Sequence, residues 1–197
     1  MARAISHPSI GWPAEAPTTP NQTEATLSSL LDESVLDMLK SSGVSGAQRI
    51  TGSAMAVQHA CLASFIGFTG AQLRGSLTVF GPVAVFARTH PGQAIGATIS
   101  EADVSDWCCE FANQLLGRFK NKLLRRGVDI ELSTPQGIAA ESLRLNAHRG
   151  GTLLVATYEV APLEVTSLLD VTCDETLALA DCVDVGGAAG EGDVMLL

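Results

Sequence analysis

A carboxylate and a carboxamide stand three residues apart in the segment 101–126, whose apolar spacing is that of a helix. Projected at about 100° per residue, four residues share one narrow stripe: Asp106, Glu110, Asn113 and Gly117. The apolar residues fall almost opposite, as in a helix that packs against a core. An amide can both donate and accept hydrogen bonds, whereas a carboxylate only accepts them. The stripe could therefore bind a polar, positively charged partner.

The stripe contains no positive charge of its own. Asp106 and Glu110 are like charges at i and i+4, which costs roughly a few tenths of a kcal/mol in a helix. No Lys or Arg lies three or four residues from Glu110. Gly117 costs up to about 1 kcal/mol relative to Ala and could let another backbone approach closely. A plain solvent-exposed stripe with a chance glycine is the alternative, and the spacing alone favours it.

The helix that carries the stripe has signals at both ends. The segment Ser100-Glu101-Ala102-Asp103 resembles a capping box, and its acidic residues suit the positive end of the helix dipole. Basic residues precede the predicted stop at Gly127: Lys120, Lys122, Arg125 and Arg126. The predicted core face consists of Val104, Cys108, Phe111, Leu115, Phe119 and Leu123.

The elements around this helix repeat an earlier pattern. A first helix is predicted at 24–40, where apolar residues recur every three to four positions. Three strands follow within 49–88, with a hairpin at Gly70, and then a short helix or turn. Three further strands are predicted within 128–160. This order predicts an α/β (α+β) domain of two α-β-β-β half-units, with a largely antiparallel sheet and long helices packed on one side.

Composition predicts a domain with an extension at each end. Residues 1–24 contain four Pro among small and polar residues, which indicates a flexible Pro-rich tail. The domain itself is placed at 25–165. Residues 166–197 are interpreted as an acidic, partly disordered extension, because nine acidic and no basic residues follow Arg149. We expect this extension to be solvated and dispensable for catalysis; a tether for a basic partner is the alternative.

Charge and hydropathy narrow the class of protein. The net charge is −9, and no basic patch suits nucleic acid. No stretch approaches the roughly 18 apolar residues of a membrane span, and the N-terminus lacks the apolar run of a signal peptide. The five Cys are odd in number and irregularly spaced, which favours free thiols in a reducing compartment. A cytoplasmic protein is predicted.

Other catalytic arrangements find little support in the sequence. The four His lie in no G-x-S-x-G elbow and beside no metal-type Cys pair. There is also no P-loop, G-x-G-x-x-G motif or EF-hand spacing. A hydrolase or thiol enzyme that uses other residues is therefore the weaker alternative, and no metal or cofactor is expected on this chain.

The run Asp106-Trp-Cys-Cys-Glu110-Phe-Ala-Asn113 resembles the signature of the CheC/CheX/FliY family of chemotaxis phosphatases. That signature is Asp or Ser, three residues, Glu, two residues and Asn, with a Pro farther along. Here 21 residues separate Asn113 from Pro135, one fewer than usual. The segments 67–70 and 131–135 are also similar to the family, and the resemblance covers roughly 25–162. Pro135 is expected to shape the loop beside the helix.

The resemblance implies a CheC-like fold and a phosphatase that acts on the aspartyl phosphate of CheY-like receiver domains. It implies that Asn113 orients the attacking water and that Glu110 pairs with the receiver's active-site Lys. Asp106, Gly117 and Gln114 are then expected to contact the docked receiver. Mg²⁺ would belong to the receiver, and this chain would bind no cofactor.

The first half of the chain lacks an intact copy of the signature. Members of the CheC type carry it in both halves, but here the first helix has Ser29 and Glu33 with Leu36 in place of Asn. A single site is closer to CheX, whose members are typically homodimers, so the resemblance implies a homodimer. The alternative function is a non-catalytic receiver- or motor-switch-binding module that docks through the same helix without hydrolysis.

Overall fold

A computed structural model describes residues 22–50, 56–57, 59–145, 151–175, 177 and 179. It contains helices α1 (Gln22–Ser41), α2 (Val83–Thr89) and α3 (Glu101–Leu124), and a 3₁₀ turn at Pro91–Ile95. The strands are β1 (Gln48–Ile50), β2 (Ala56–Val57), β3 (Cys61–Thr69), β4 (Leu73–Pro82), β5 (Glu131–Leu132), β6 (Gln136–Ala140), β7 (Leu143–Arg144), β8 (Thr152–Val160) and β9 (Leu163–Cys173).

The sheet has seven strands, all paired antiparallel, in the order β1-β8-β9-β4-β3-β5, with β6 also on β3. The half-units meet where β4 pairs with β9. The first strand of each half pairs with the other half, because β1 lies on β8 and β5 and β6 lie on β3. The predicted repeat and the antiparallel sheet are confirmed. Strands β2 and β7 form a separate two-stranded sheet.

The long helices α1 and α3 pack against each other and on the same face of the sheet. Most of their apolar residues are buried, with Leu27 and Leu39 of α1 and Leu115 and Phe119 of α3 all at 0% exposure, whereas Leu36 of α1 is exposed. The spacing that predicted amphipathic helices therefore forms one core with the sheet, and the prediction of helices packed on one side is confirmed.

A polar network ties α1 to the sheet. The buried phenol of Tyr158 donates a hydrogen bond to Asp32 Oδ1, and Arg49 forms an ion pair with Asp32. Arg49 also donates to the Val155 carbonyl at 3.3 Å. Burial, and next the hydrogen bond to Asp32, raises the pKa of Tyr158 well above its usual range. The phenol therefore stays protonated and remains a donor.

The sheet extends past the domain boundary at 165. Strand β9 continues to Cys173 in register with β4, and Val165, Leu169 and Val171 are buried in the core. Apolar and polar residues largely alternate in 163–173, as in a strand, and residues 165–169 are all buried, so the middle of β9 is covered on both faces. Residues 166–173 thus belong to the domain and not to the acidic extension, whose residues from 180 onward lie outside the described part of the chain, as do residues 1–21.

The strands after α3 also differ from the predicted pattern. The first of the three strands predicted within 128–160 is divided into β5 and β6, which both pair with β3.

The described cysteines, Cys61, Cys108, Cys109 and Cys173, are free thiols, as predicted. No described helix is both long enough and apolar enough to cross a membrane.

Candidate functional site

Helix α3 begins with a complete capping box. The Ser100 hydroxyl accepts a hydrogen bond from the Asp103 amide at 3.2 Å, and the Asp103 carboxylate accepts one from the Ser100 amide at 2.9 Å. The Ser100 hydroxyl also donates to this carboxylate at 2.7 Å. These hydrogen bonds, with a smaller contribution from His90, hold the pKa of Asp103 below its ordinary value. The predicted helix start is confirmed.

Aromatic packing holds the N-terminal half of α3. Trp107 donates from Nε1 to the Thr89 hydroxyl at 3.0 Å, and its ring lies edge-on to His90 with centroids 5.7 Å apart. Phe111 makes similar edge contacts with Phe86 at 6.0 Å and with Trp107 at 6.1 Å. Trp107 was not among the residues of the predicted core face, but its position three residues after Val104 and four residues before Phe111 continues that face.

Polar contacts with α1 hold the C-terminal half of α3. Lys122 Nζ lies 2.8 Å from Asp37 Oδ2 and 3.6 Å from Glu33 Oε2. Arg118 donates to the Ser41 hydroxyl at 2.9 Å. Both halves of α3 are thus fixed by contacts made from its inner and lateral faces, which leaves its outer face accessible.

The outer face of α3 brings the predicted stripe together. Asp106 and Glu110 are exposed, whereas Asn113 and Gly117 are partly exposed. Side chains three residues apart on a helix are neighbours, with Cβ atoms about 5–6 Å apart, so the carboxylate of Glu110 and the amide of Asn113 lie side by side. Apart from the helix's own backbone, no atom of the described residues lies within 4 Å of the position that a Cβ at Gly117 would occupy, so the helix surface is open there.

Gln114 forms a hydrogen bond with Glu110 within α3. Its Nε2 donates a hydrogen bond to Glu110 Oε1 at 2.7 Å, one turn away. Within the part of the chain that the structure describes, Glu110 has no ion pair and Asn113 has no side-chain hydrogen bond. The site therefore presents an oriented carboxylate beside an amide that is free to bind water. The i,i+4 spacing of Glu110 and Gln114 could have indicated their contact from the sequence.

An edge strand flanks α3 on the side away from α1. A Cβ at Gly137 in β6 would lie only 2.7 Å from Cys109 Sγ, so this strand touches the helix next to Glu110. Near the other end of the helix, Lys120 Nζ lies 3.3 Å from Asp129 Oδ1, just before β5. Pro135 lies between β5 and β6.

The charges of the site are not arranged as a metal centre. Across the described ranges, no group of three or more His, Cys, Asp or Glu side chains could hold a metal ion. The carboxylate of Glu110 lies beside the amides of Asn113 and Gln114, and the exposed carboxylate of Asp106 lies one turn earlier. An acidic surface of this kind suits a cationic side chain of a partner.

Comparison with known families gives a match in sequence over about half of the chain. Residues 62–159 match the model of a family described as chemotaxis phosphatase CheX. The matched range contains all of α3 and Pro135. No curated protein sequence matches the chain.

Solved structures share the fold at low sequence identity. The chemotaxis protein CheX from Vibrio vulnificus has a TM-score of 0.64 at 15% identity, over 75% of this chain and 99% of that chain. A CheC-like chemotactic protein from Shewanella oneidensis has a TM-score of 0.60 at 17% identity, over 73% and 96%. A chain of the CheX–CheY–BeF3–Mg²⁺ complex from Borrelia burgdorferi has a TM-score of 0.53 at 10% identity, over 73% and 96%.

Proposed function

Because the chain belongs to the family of the chemotaxis phosphatase CheX, we propose that it hydrolyses the aspartyl phosphate of a CheY-like response-regulator receiver. The observation that carries this proposal is the accessible pair of Glu110 and Asn113 on a helix held firmly from behind. The complex of a CheX with CheY from Borrelia burgdorferi supports the choice of partner.

The reaction requires little chemistry from this chain. Water attacks the phosphorus of the acyl phosphate, the bond from phosphorus to the aspartyl oxygen breaks, and the products are the free carboxylate and inorganic phosphate. The receiver supplies the phosphorylated Asp and its Mg²⁺, which stabilises the charge on the phosphoryl oxygens. Catalysis then depends on positioning a water in line with the bond that breaks.

Asn113 is assigned to this water. Its amide oxygen can accept a hydrogen bond from the water, and its NH₂ group can donate to the water or to a phosphoryl oxygen. No side chain of the described residues competes for this amide. Because α3 is anchored by Trp107 and Lys122, the amide can be held in one place without help from the partner.

Glu110 is assigned to the active-site Lys of the receiver. Its carboxylate has no cation of its own among the described residues, and the hydrogen bond from Gln114 fixes one of its oxygens. The other oxygen is left to accept from an ammonium group. Gln114 thus supports docking through Glu110, whereas Asp106 and Gly117 contact the receiver at the two ends of the stripe.

The setting of this activity follows from the same family. We place the protein in the cytoplasm, where receiver domains are phosphorylated, and expect a homodimer that presents one α3 site per protomer. No cofactor of this chain takes part in the proposed reaction. The competing function is a module that docks a receiver or a motor-switch protein through α3 without hydrolysis.

The direct test follows the decay of aspartyl phosphate on purified CheY-like receivers with Mg²⁺, with and without the protein. The proposal expects decay to accelerate in proportion to protein concentration on at least one receiver. If the protein binds a BeF3⁻-loaded receiver and leaves the decay rate of the phosphorylated form unchanged, the docking module replaces the phosphatase.

A further inference from the structure

Strands β5 and β6 form one edge strand that is interrupted by a bulge. Leu132 pairs with Phe68 and Gln136 pairs with Phe65. Three residues, 133–135, therefore lie opposite two residues of β3, 66–67. One extra residue on one strand is a β-bulge, which bends the strand and re-aims its side chains. We call residues 133–135 the edge bulge.

Two hydrogen bonds close the edge bulge onto β3. The Ser133 amide donates to the Gly67 carbonyl at 2.9 Å, and the Gly67 amide donates to Ser133 Oγ at 2.9 Å. A Cβ at Gly67 would lie 3.2 Å from Ser133 Oγ, closer than is comfortable for van der Waals contact. Pro135 has no amide hydrogen to donate. At the outer edge of a sheet this costs no hydrogen bond, because no further strand pairs there. The bulge therefore has a defined shape.

The edge bulge lies at the level of Asn113. Gly137 touches α3 at Cys109, and Asn113 follows Cys109 by one turn on the same side, about 6 Å farther along the axis. Two residues back along the chain span about 6–7 Å, which leads from Gly137 to Pro135 at this level of the helix. The ion pair of Lys120 with Asp129 shows that the edge strand continues to run beside α3 toward the C-terminal end of the helix.

We propose that the edge bulge positions Asn113 for the reaction, with Pro135 as the residue that packs beside its side chain. Both residues are partly buried, as expected if each covers part of the other. A rigid ring on this side restricts the rotamers of the Asn113 side chain, and Ser133 acts at one remove by holding the bulge closed. This inference rests on the proposed function, and Pro135 is a positioning residue within it.

The kinetic test uses two perturbations of the bulge. Pro135→Ala removes the ring, and Ser133→Ala removes the hydrogen bond to the Gly67 amide. Each is expected to lower kcat for receiver dephosphorylation about tenfold, because small displacements of a positioning group are costly, while KM changes less than twofold. Ser133→Thr keeps the hydroxyl and is expected to restore kcat. Ser29→Ala, which removes another exposed hydroxyl hydrogen bond, on α1, is the matched control and is expected to keep wild-type kinetics.

A second readout separates this inference from the proposed function. NMR relaxation of the Asn113 side-chain NH₂ group in the free protein is expected to report a rigid amide in the wild type and in Ser29→Ala. A more mobile amide is expected in Pro135→Ala and Ser133→Ala, with chemical shifts elsewhere unchanged. This result supports the positioning of Asn113 by the edge bulge even if no receiver is dephosphorylated. Failure to dephosphorylate any receiver would contradict only the proposed phosphatase function. An amide of unchanged mobility in both bulge variants overturns the inference, as does an unchanged kcat or a KM that rises in step with the loss of kcat.

Discussion

Helices α1 and α3 hold corresponding places in the two half-units, yet their polar residues are used differently. On α1, Glu33 and Asp37 are bound by Lys122 of α3, and Asp32 is bound by Arg49 and Tyr158. On α3, the carboxylate of Glu110 meets only the amide of Gln114 among the described residues. Leu36, 39% exposed, stands on α1 where the motif of α3 has Asn113.

This difference shows how two similar half-units can present only one docking surface. The carboxylates of Asp32, Glu33 and Asp37 on α1 form ion pairs within the domain, which join α1 to α3 and to the sheet. The carboxylate of Glu110 on α3 remains available because aromatic packing between Phe86, Trp107 and Phe111 holds the N-terminal half of that helix instead. A docking carboxylate must lack an internal cation, since a partner's cation would otherwise have to displace one.

The largest expected effect comes from the aromatic packing under α3. Phe111 is 1% exposed and touches two other aromatic rings. Phe111→Ala should lower the free energy of unfolding by about 3–5 kcal/mol, from lost burial and the cavity left behind. Urea unfolding measures it. A loss below about 1 kcal/mol would mean that α3 is held mainly by its polar contacts with α1.

Removing the free charge of α3 should affect docking and spare stability. Glu110→Gln keeps the shape and the contact with Gln114 but removes the charge. We expect the Kd for a BeF3⁻-loaded receiver to rise about tenfold, which is about 1.4 kcal/mol, with stability unchanged within about 0.5 kcal/mol. Glu33→Gln on α1 is the matched control and should leave the Kd unaltered. Equal losses in both variants would erase the contrast between the helices.

Breaking the polar network under α1 should affect stability and spare activity. Tyr158→Phe removes the donor to Asp32 and should cost about 1–2 kcal/mol, measured by urea unfolding, with wild-type dephosphorylation kinetics. The pKa of Tyr158 is raised in the folded state, so its contribution is complete below the ordinary pKa of 10.0 and is lost as pH rises above it. Wild type should therefore lose stability above about pH 10, and Tyr158→Phe should lose less of it over that range.

The smallest expected effect on the dephosphorylation rate comes from placing Asn at position 36 of α1. Leu36→Asn restores the spacing Ser29, Glu33, Asn at position 36, but Glu33 stays bound to Lys122. In an Asn113→Ala background, Leu36→Asn should raise the dephosphorylation rate by less than twofold. A clear rescue would show that the internal ion pair does not prevent α1 from serving as a site.

Local sequence patterns predicted the parts of the molecule that local forces determine. The helix start at Ser100, the buried face from Val104 to Leu123 and the repeated half-units are confirmed because capping and apolar spacing act within a few residues. The family assignment from the motif around Glu110 is confirmed as well. The roles of Glu110, Asn113 and the docking residues stay predictions.

The features that the sequence did not predict depend mainly on contacts between residues that are distant along the chain. The edge bulge exists because 131–136 pairs with residues more than 60 positions earlier, and its extra residue is visible only in that register. The sequence left a short helix or strand open for the segment of β9 and placed it outside the domain, because acidic neighbours dominate the composition of 166–197. The ion pair of Glu33 with Lys122 joins helices that are distant in sequence, so no pattern within α1 could reveal that its carboxylate was occupied.

The central claim is that Asn113 on α3 directs hydrolysis, and one matched pair of variants tests it. Asn113→Ala and Asn121→Ala each remove one amide from α3, and Asn121 is an exposed residue two turns away. In a decay assay of receiver aspartyl phosphate with Mg²⁺, Asn113→Ala should lower kcat by about 10²- to 10³-fold. Asn121→Ala should retain the wild-type rate, and both should melt with the wild type. Full activity in a folded Asn113→Ala protein would contradict the account.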